Sequence, residues 1–448
     1  MNRWTSSKKL FLIFLLVLQP SVFANDASEW LLTNINLIDI ESGQISKGAS
    51  IWIKNDKIMA INPSSTSKAL KKVSGNNYWV IPGLSEMHAH IPNSPDYTDR
   101  ILKLFIAHGI TNVRGMLGQP FHLTLRQELN SGKKLGPYLV TSGPSINGNS
   151  VKSPQEGVDK VSAQVKAGYD FHKIHPGLSK TAYQAITKTA SQLNSTWGGH
   201  ISAEVGIVDT IKAGQSTIDH MDGFIEELAK RNGNDLSKQG FFGFSLASEV
   251  ADDDIDKLIA SLSDYNFAIV PTETLMVSFA TPNASEHLLN NPAHKWMPQH
   301  IVNNWKNSRE NFWSNDEVTA SKAARFLEVR KQLLQAFKKH NVLILLGSDA
   351  PQVFNVPGDS THKELAIMVD NGLTPLEALQ SGTLNVEKFY QGKHPVGKIV
   401  PGMRADFVLL KKNPLENIEN SRSIDSVVVA GKLLDRNALD KILDKLEQ

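Results

Sequence analysis

The sequence predicts an α/β fold, a (β/α)8 TIM barrel joined to a small composite β-sandwich built from both chain ends, and three observations carry the prediction. Through the middle of the chain a short apolar run is followed by an amphipathic segment, again and again, eight times in all. Both ends instead alternate apolar and polar residues in short runs broken by turn residues, as strands and tight turns do. The first apolar run of the middle closes on His88-Ala89-His90, two imidazoles that an extended strand sends out on the same side.

The first 24 residues stand apart. Arg3, Lys8 and Lys9 precede the apolar run Leu10 to Leu18, then Pro20 and Val22-Phe23-Ala24, the order of a secretory signal peptide cleaved after Ala24. That run is shorter than the ~20 residues a membrane span needs, and no other segment approaches that length. Residues 25–80 are expected to form the N-terminal part of the β-domain, with strands in Leu31 to Ile40 and Ser50 to Ile61 and turns at Gly43, Gly48 and Asn55-Asp56.

Residues 81–392 are expected to form the barrel. Its candidate strands are Val80 to Met87, Thr111 to Arg114, Tyr138 to Ser142, Phe171 to His175, Trp197 to His200, Ser216 to His220, Ala268 to Thr272 and Val342 to Asp349. The helices between them have legible ends. Ser153-Pro154-Gln155-Glu156 reads as a capping box with proline at the first helical position, opening a helix whose Val158, Val161 and Val165 share a face. Thr374-Pro375-Leu376-Glu377 repeats the device just after Gly372, which is placed to stop the preceding helix. An open doubly wound sheet is the alternative, but no Gly-rich phosphate loop follows the first strand.

Residues 275–322 break the rhythm with Trp296, Trp305, Trp313, several asparagines and three prolines. An excursion of this length after a strand overhangs a barrel's site, so it reads as a lid or recognition loop, with a structural excursion or a contact between subunits as alternatives. Residues 393–448 return to alternation at Gly397 to Ile399, Ala405 to Leu410 and Ser426 to Leu434, and so complete the β-domain before a terminal helix.

Charge and composition narrow the classes of function. The formal charge of +2 falls to −1 without the leader, which holds Arg3, Lys8 and Lys9 and no acidic residue. Such a chain gives no reason to expect nucleic acid or an anionic membrane surface as partner. There is no cysteine, so disulfides and a lipid-bearing cysteine are excluded and any metal must use N and O ligands. The expectation is a secreted or periplasmic protein, free of the membrane after leader removal, acting on a small molecule, with a homo-oligomer left open.

The chemistry gathers at the expected C-terminal strand ends, where barrel enzymes hold their sites. The first strand ends in His88 and His90, the fourth carries Lys173, the fifth ends in His200, the sixth in His220 and the eighth in Asp349. Imidazoles with a carboxylate suit zinc and related divalent ions. Lys173 is the odd member, since an ammonium beside a divalent cation is unfavourable. A lysine carbamate formed with CO2 resolves the conflict by turning the cation into an anionic ligand able to bridge two metals.

With these residues in place the chain resembles the metal-dependent amidohydrolase superfamily over nearly all of its length after the leader. The resemblance rests on Val80-Ile81-Pro82-Gly83-Leu84 running into the His88 and His90 pair, Asp170 to Lys173 with Gly177-Leu178-Ser179, Gly199-His200, Ile218-Asp219-His220, Gly347-Ser348-Asp349 and the turn Pro401 to Asp406. The branch it is most similar to is the imidazolonepropionase-related group that contains Xaa-Pro dipeptidase-like enzymes. That similarity implies two divalent metals, Zn2+ by preference, with His88, His90 and Asp349 holding one, His200 and His220 the other, and a carboxylated Lys173 bridging them. It further implies amide C–N hydrolysis by a metal-bridged hydroxide, with Asp349 taking the water's proton and passing it to the leaving nitrogen.

Departures fall on substrate choice. Many relatives have Trp-Asp where this chain has Ser85-Glu86, and Arg-Asp where it has Arg114-Gly115. His175 follows Lys173 by two residues on the same strand face and is a candidate substrate contact, as are Arg114, suited to a carboxylate, and His362. The expected substrate is a dipeptide or N-acyl amino acid. Cyclic-amide, lactone or ester hydrolysis on the same site is the alternative, and a non-catalytic binding protein on the same scaffold is the rival of another class.

Overall fold

The computed structural model describes residues 29–65, 70–282, 286, 288 and 290–447. The expected leader and its cleavage point lie outside the described residues.

Five strands form in the first part of the chain, β1 (Glu29–Ile38), β2 (Ile45–Lys54), β3 (Lys57–Ile61), β4 (Lys71–Ser74) and β5 (Trp79–Pro82). The link between β2 and β3 is Asn55-Asp56, with Asn55 in the left-handed region at φ +57°, a conformation asparagine tolerates. Eight short strands follow, β6 (Leu84–Ala89), β7 (Ile110–Gly115), β8 (Tyr138–Thr141), β9 (Phe171–Ile174), β10 (Thr196–Gly199), β11 (Thr217–Asp219), β12 (Ala268–Val270) and β13 (Leu343–Ile344). The chain closes with β14 (Phe407–Leu410), β15 (Ile424–Val429), β16 (Lys432–Leu434) and the helix Arg436–Asp444.

Strands from both ends share one sheet, in the order β16-β15-β14-β5-β1-β2-β3 with β4 on β1. Its seam is the antiparallel pairing of β14 with β5, Val408 opposite Ile81. Trp30, Leu32, Ile51, Ile53, Phe407 and Leu409 are buried together on it.

The middle strands are all parallel, in a three-stranded sheet β6-β7-β8 and a five-stranded sheet β13-β12-β11-β10-β9. Their residues are buried almost throughout, as parallel strands covered on both faces require. Backbone bonds join the sheets at both margins. Asp170 N donates to Thr141 O at 3.0 Å and Gly143 N to Phe171 O at 3.1 Å, while Met87 N donates to Leu346 O and His90 N to Ala350 O, each at 2.8 Å.

Several expectations change in detail. The run expected as one strand from Val80 to Met87 is two, because the chain passes from the mixed sheet to the parallel one at Gly83, where a Cβ would stand 2.0 Å from Thr111 Oγ1. Glu156, expected to close a capping box on Ser153, reaches the Lys152 amide instead, while the box at Thr374 and Glu377 is complete. In the 275–322 stretch the described residues are mostly helical, with Glu273–Ala280 and Gln299–Trp313 on either side of a 3-10 turn at Pro292–Trp296. Among the described residues no helix is long and apolar enough to cross a membrane.

Candidate metal centre

The six residues picked out at strand ends converge. Nε2 of His90 lies 2.8 Å from Asp349 Oδ1, and Nε2 of His88 lies 3.6 Å from the same oxygen. Lys173 Nζ is 3.5 Å from His88 Nε2, and His220 Nδ1 is 3.8 Å from Asp349 Oδ2. The His88 and His220 rings are 4.5 Å apart, and His200 follows at 4.6 Å from His220. These residues come from β6 and β9, from the residues just after β6, β10 and β11, and from the turn that follows β13, so parallel register brings distant sequence positions toward one level.

Two of them sit on backbone that extended strands do not provide. His220 and Asp349 have φ of +65° and +62°, a left-handed conformation that costs a non-glycine residue of order 1 kcal/mol or more. Arg330 fixes the first: 1 % exposed, it donates to the His220 carbonyl at 2.8 Å and is locked by Glu273 at 2.6 Å. Glu86 fixes the second. Its fully buried carboxylate accepts from Ser348 N and Oγ at 2.7 Å each, from Thr361 Oγ1 at 2.8 Å and from His88 N at 3.2 Å, tying β6 to the turn that carries Asp349. Burial pushes Glu86 up to about 7 despite these donors.

The histidines are held by one edge. His200 Nδ1 meets Asp222 Oδ2 at 3.2 Å, His220 Nδ1 meets Thr272 Oγ1 at 2.8 Å, and His88 Nδ1 stands 3.0 Å from Asp219 Oδ2. Their Nε2 edges are left for the chamber, the arrangement in which a neighbour orients a metal-binding imidazole. Burial, then the charges of Lys173 and the neighbouring histidines, holds His88 well below the imidazole range, and burial with His88 and His200 does the same for His220. Both rings are therefore neutral at ordinary pH, the form that coordinates a cation. Burial likewise lowers Lys173. Asp219 is pushed up by burial, yet Lys173 and Arg114 outweigh this and hold it below the usual carboxylate range.

The donor set fits a divalent cation. Ligand atoms of His88, His220 and Asp349 lie within 4.8 Å of one another. His88 Nε2, on a ring whose Nδ1 is taken by Asp219, faces Asp349 Oδ1 at 3.6 Å, two acceptors turned on one another in a buried place, an arrangement that positive charge between them would relieve.

Of the three candidate substrate contacts, only His175 reaches this chamber. Its ring stacks on His200 at 4.8 Å and its Nδ1 meets Ser145 Oγ at 2.6 Å. Arg114 does not, because its guanidinium turns back between the strands onto Thr217 Oγ1 and the Phe171 ring. His362 does not either: both its ring nitrogens are engaged elsewhere, with Ser421 Oγ at 2.8 Å and the His108 carbonyl at 2.9 Å.

Sequence reading missed Asp219, Asp222, Thr272, Glu86 and Phe242. Strict alternation puts Asp219 and His220 on opposite faces, and the left-handed turn at His220 is what lets both serve the cluster. Phe242 lies 5.9 Å from His200 and 5.1 Å from His220 in a segment with no periodic pattern, Phe241–Glu249. Its neighbour Phe241 packs on Phe279 and Phe312, joining the 275–322 excursion to the roof over these histidines. A cavity of about 470 Å³ opens there, lined by Leu178, His200, Asp222, Glu226 and Phe242.

Comparison with known proteins finds chains similar to this one over nearly its whole length. An ochratoxinase from Aspergillus niger is 20 % identical over 93 % of this chain and 89 % of its own. The crystal structure of a Xaa-Pro dipeptidase with bound methionine in its active site superposes with a TM-score of 0.65 at 22 % identity, covering 91 % of this chain and 100 % of that one. Bottromycin amidohydrolase reaches a TM-score of 0.75 at 17 % identity over 94 % of this chain and 91 % of its own. The amidohydrolase family matches residues 79–434, the span that runs from the strand before His88 to the last strand of the mixed sheet. The chain therefore belongs to the amidohydrolase family and is a hydrolase acting on carbon–nitrogen bonds.

Proposed function

We propose that the protein is an exported, two-metal amidohydrolase that cleaves the amide bond of a dipeptide or N-acyl amino acid. The observation that carries this reading is the set of histidines, three of them braced at Nδ1, gathered with Lys173 and Asp349 around one chamber. In it, residues 1–24 are the leader, 25–80 and 393–448 the composite β-sandwich, and 81–392 a (β/α)8 barrel whose two arcs are the parallel sheets. Backbone bonds across both margins support closure. The names of the dipeptidase and ochratoxinase relatives support an amide substrate.

His88, His90 and Asp349 would hold one divalent ion and His200 and His220 another, with Lys173 as a carbamate between them. Bound ions, zinc by preference, supply Lewis-acid polarisation of the carbonyl and a more acidic water. Asp349 accepts the water's proton at a carboxylate oxygen and returns it to the leaving nitrogen, which an amide needs because an amine anion leaves poorly. His175, stacked on His200 and tied to Ser145, orients the substrate, and Phe241 and Phe242 shield it from water. The excursion 275–322 serves as the lid. The protein works free of the membrane and of nucleic acid, in the periplasm or outside the cell.

The test is metal content per purified chain together with hydrolysis of a dipeptide panel weighted toward C-terminal proline and large apolar residues, alongside a cyclic amide, a lactone and an ester. About two metals per chain with dipeptide turnover is the expected result. Turnover confined to the cyclic amide, lactone or ester, or a metal-free enzyme of full activity, would overturn it.

A further inference from the structure

At the opposite end of the same strands lies a second cavity, of about 320 Å³. Residues that open the strands line it, Phe171 of β9, Thr196 of β10, Ala268 of β12 and Leu343 of β13, whereas the histidines stand where strands close. Arg114 is among its lining residues. The guanidinium is 1 % exposed, both Nη atoms donate to the single hydroxyl of Thr217 at 3.2 and 3.1 Å, and its Cζ lies 4.3 Å from the Phe171 ring centroid and 5.4 Å from that of Phe389. Among the described residues no carboxylate stands within the 4.0 Å of an ion pair with it.

Asp219 feels the charge of this guanidinium from beyond ion-pair distance, but both Nη atoms share one neutral hydroxyl, so donors of the five remain for a further acceptor. The cavity itself offers no free carboxylate. Its one acidic lining residue, Asp170, is already bound to Arg126 at 2.7 Å, and its rim carries the exposed Lys388 and Lys393. The field inside is therefore positive, and Phe171, Phe389 and Tyr390 give the lining an aromatic part among polar residues such as Thr196, Ser216 and Asn266.

We propose that this cavity binds a small monocarboxylate with an apolar or aromatic body, its carboxylate on Arg114 and its body against Phe389 and Tyr390. The site is separate from the histidine chamber and takes no part in the hydrolysis.

Phenylacetate is the probe, with phenylacetamide as its uncharged counterpart of the same shape. Calorimetric titration of the purified chain should show the acid binding and the amide at least about tenfold weaker. Lys388→Glu should weaken phenylacetate about fivefold through charge at the rim, and Arg114→Gln should abolish it. A crystal structure of the complex should place the carboxylate on Arg114. Equal binding of acid and amide, no binding by the acid, or a carboxylate found among the histidines would overturn the proposal. Should Arg114→Gln fail to fold, Lys388→Glu decides, because that side chain is exposed: phenylacetate binding unchanged by it would also overturn the proposal.

Discussion

Asp219 stands 3.0 Å from His88 across strands that are 131 positions apart in the chain, its Oδ2 facing the ring's Nδ1 while Nε2 faces Lys173 and Asp349. The carboxylate thus selects which edge of the imidazole reaches the chamber. Asp219→Asn keeps the shape and removes the charge. Metal affinity, measured by chelator competition, should fall about 10- to 100-fold. Unchanged affinity would mean that His88 needs no such brace.

Glu86 is the pin between the His88 strand and the Asp349 turn. Glu86→Ala leaves Ser348 N, Ser348 Oγ and Thr361 Oγ1 without their acceptor in a buried place. At ~1 kcal/mol or more for each stranded group, the variant should lose at least about 3 kcal/mol in urea unfolding. A loss under about 1 kcal/mol would show that the network relaxes onto other partners.

Lys173 is fully buried, with Asp219 Oδ2 at 3.5 Å as its ion-pair partner. Lys173→Ala should abolish most activity and about half of the bound metal, with partial rescue of both by short carboxylic acids that occupy the vacated space. Retention of the full metal content would remove the bridging carbamate from the scheme.

His362 gives a pH prediction in place of a substrate contact. Burial, then the charge of Arg422, holds it down to about 3, against roughly 6.5 for an unfolded histidine. The unfolded chain therefore binds the extra proton first, so the stability this residue contributes is complete above about pH 6.5 and is lost as pH falls from there toward 3. Between pH 7 and pH 5 the loss from this group is roughly 2 kcal/mol. His362→Gln should flatten the stability profile by that amount between those pH values in denaturant titrations, with kcat/KM unchanged. An unaltered slope would place the acid sensitivity in other groups.

How much was legible in advance follows from which physical signals are local. The strand ends at His88, Lys173, His200, His220 and Asp349 could be read because each follows an apolar run of strand length, and parallel strands bring such ends to one level. The turn at Asn55-Asp56 and the cap at Thr374 were equally readable, since their chemistry acts within four residues. Arg114 and His362 were misplaced for the opposite reason. Their types suit a substrate carboxylate, but which way a side chain turns depends on distant groups, Thr217 for one and Ser421 for the other.

The sequence by itself determined the alternation of strand and helix, the two-ended sheet and the identity of the cluster residues. Only the tertiary structure decided the braces around them. Asp222 on His200, Thr272 on His220, Asp219 on His88 and Glu86 beneath Asp349 are contacts between segments that no period connects. Left-handed backbone at His220 and Asp349 adds to this, because it re-aims side chains against the strand's own alternation and persists only where packing holds it in place.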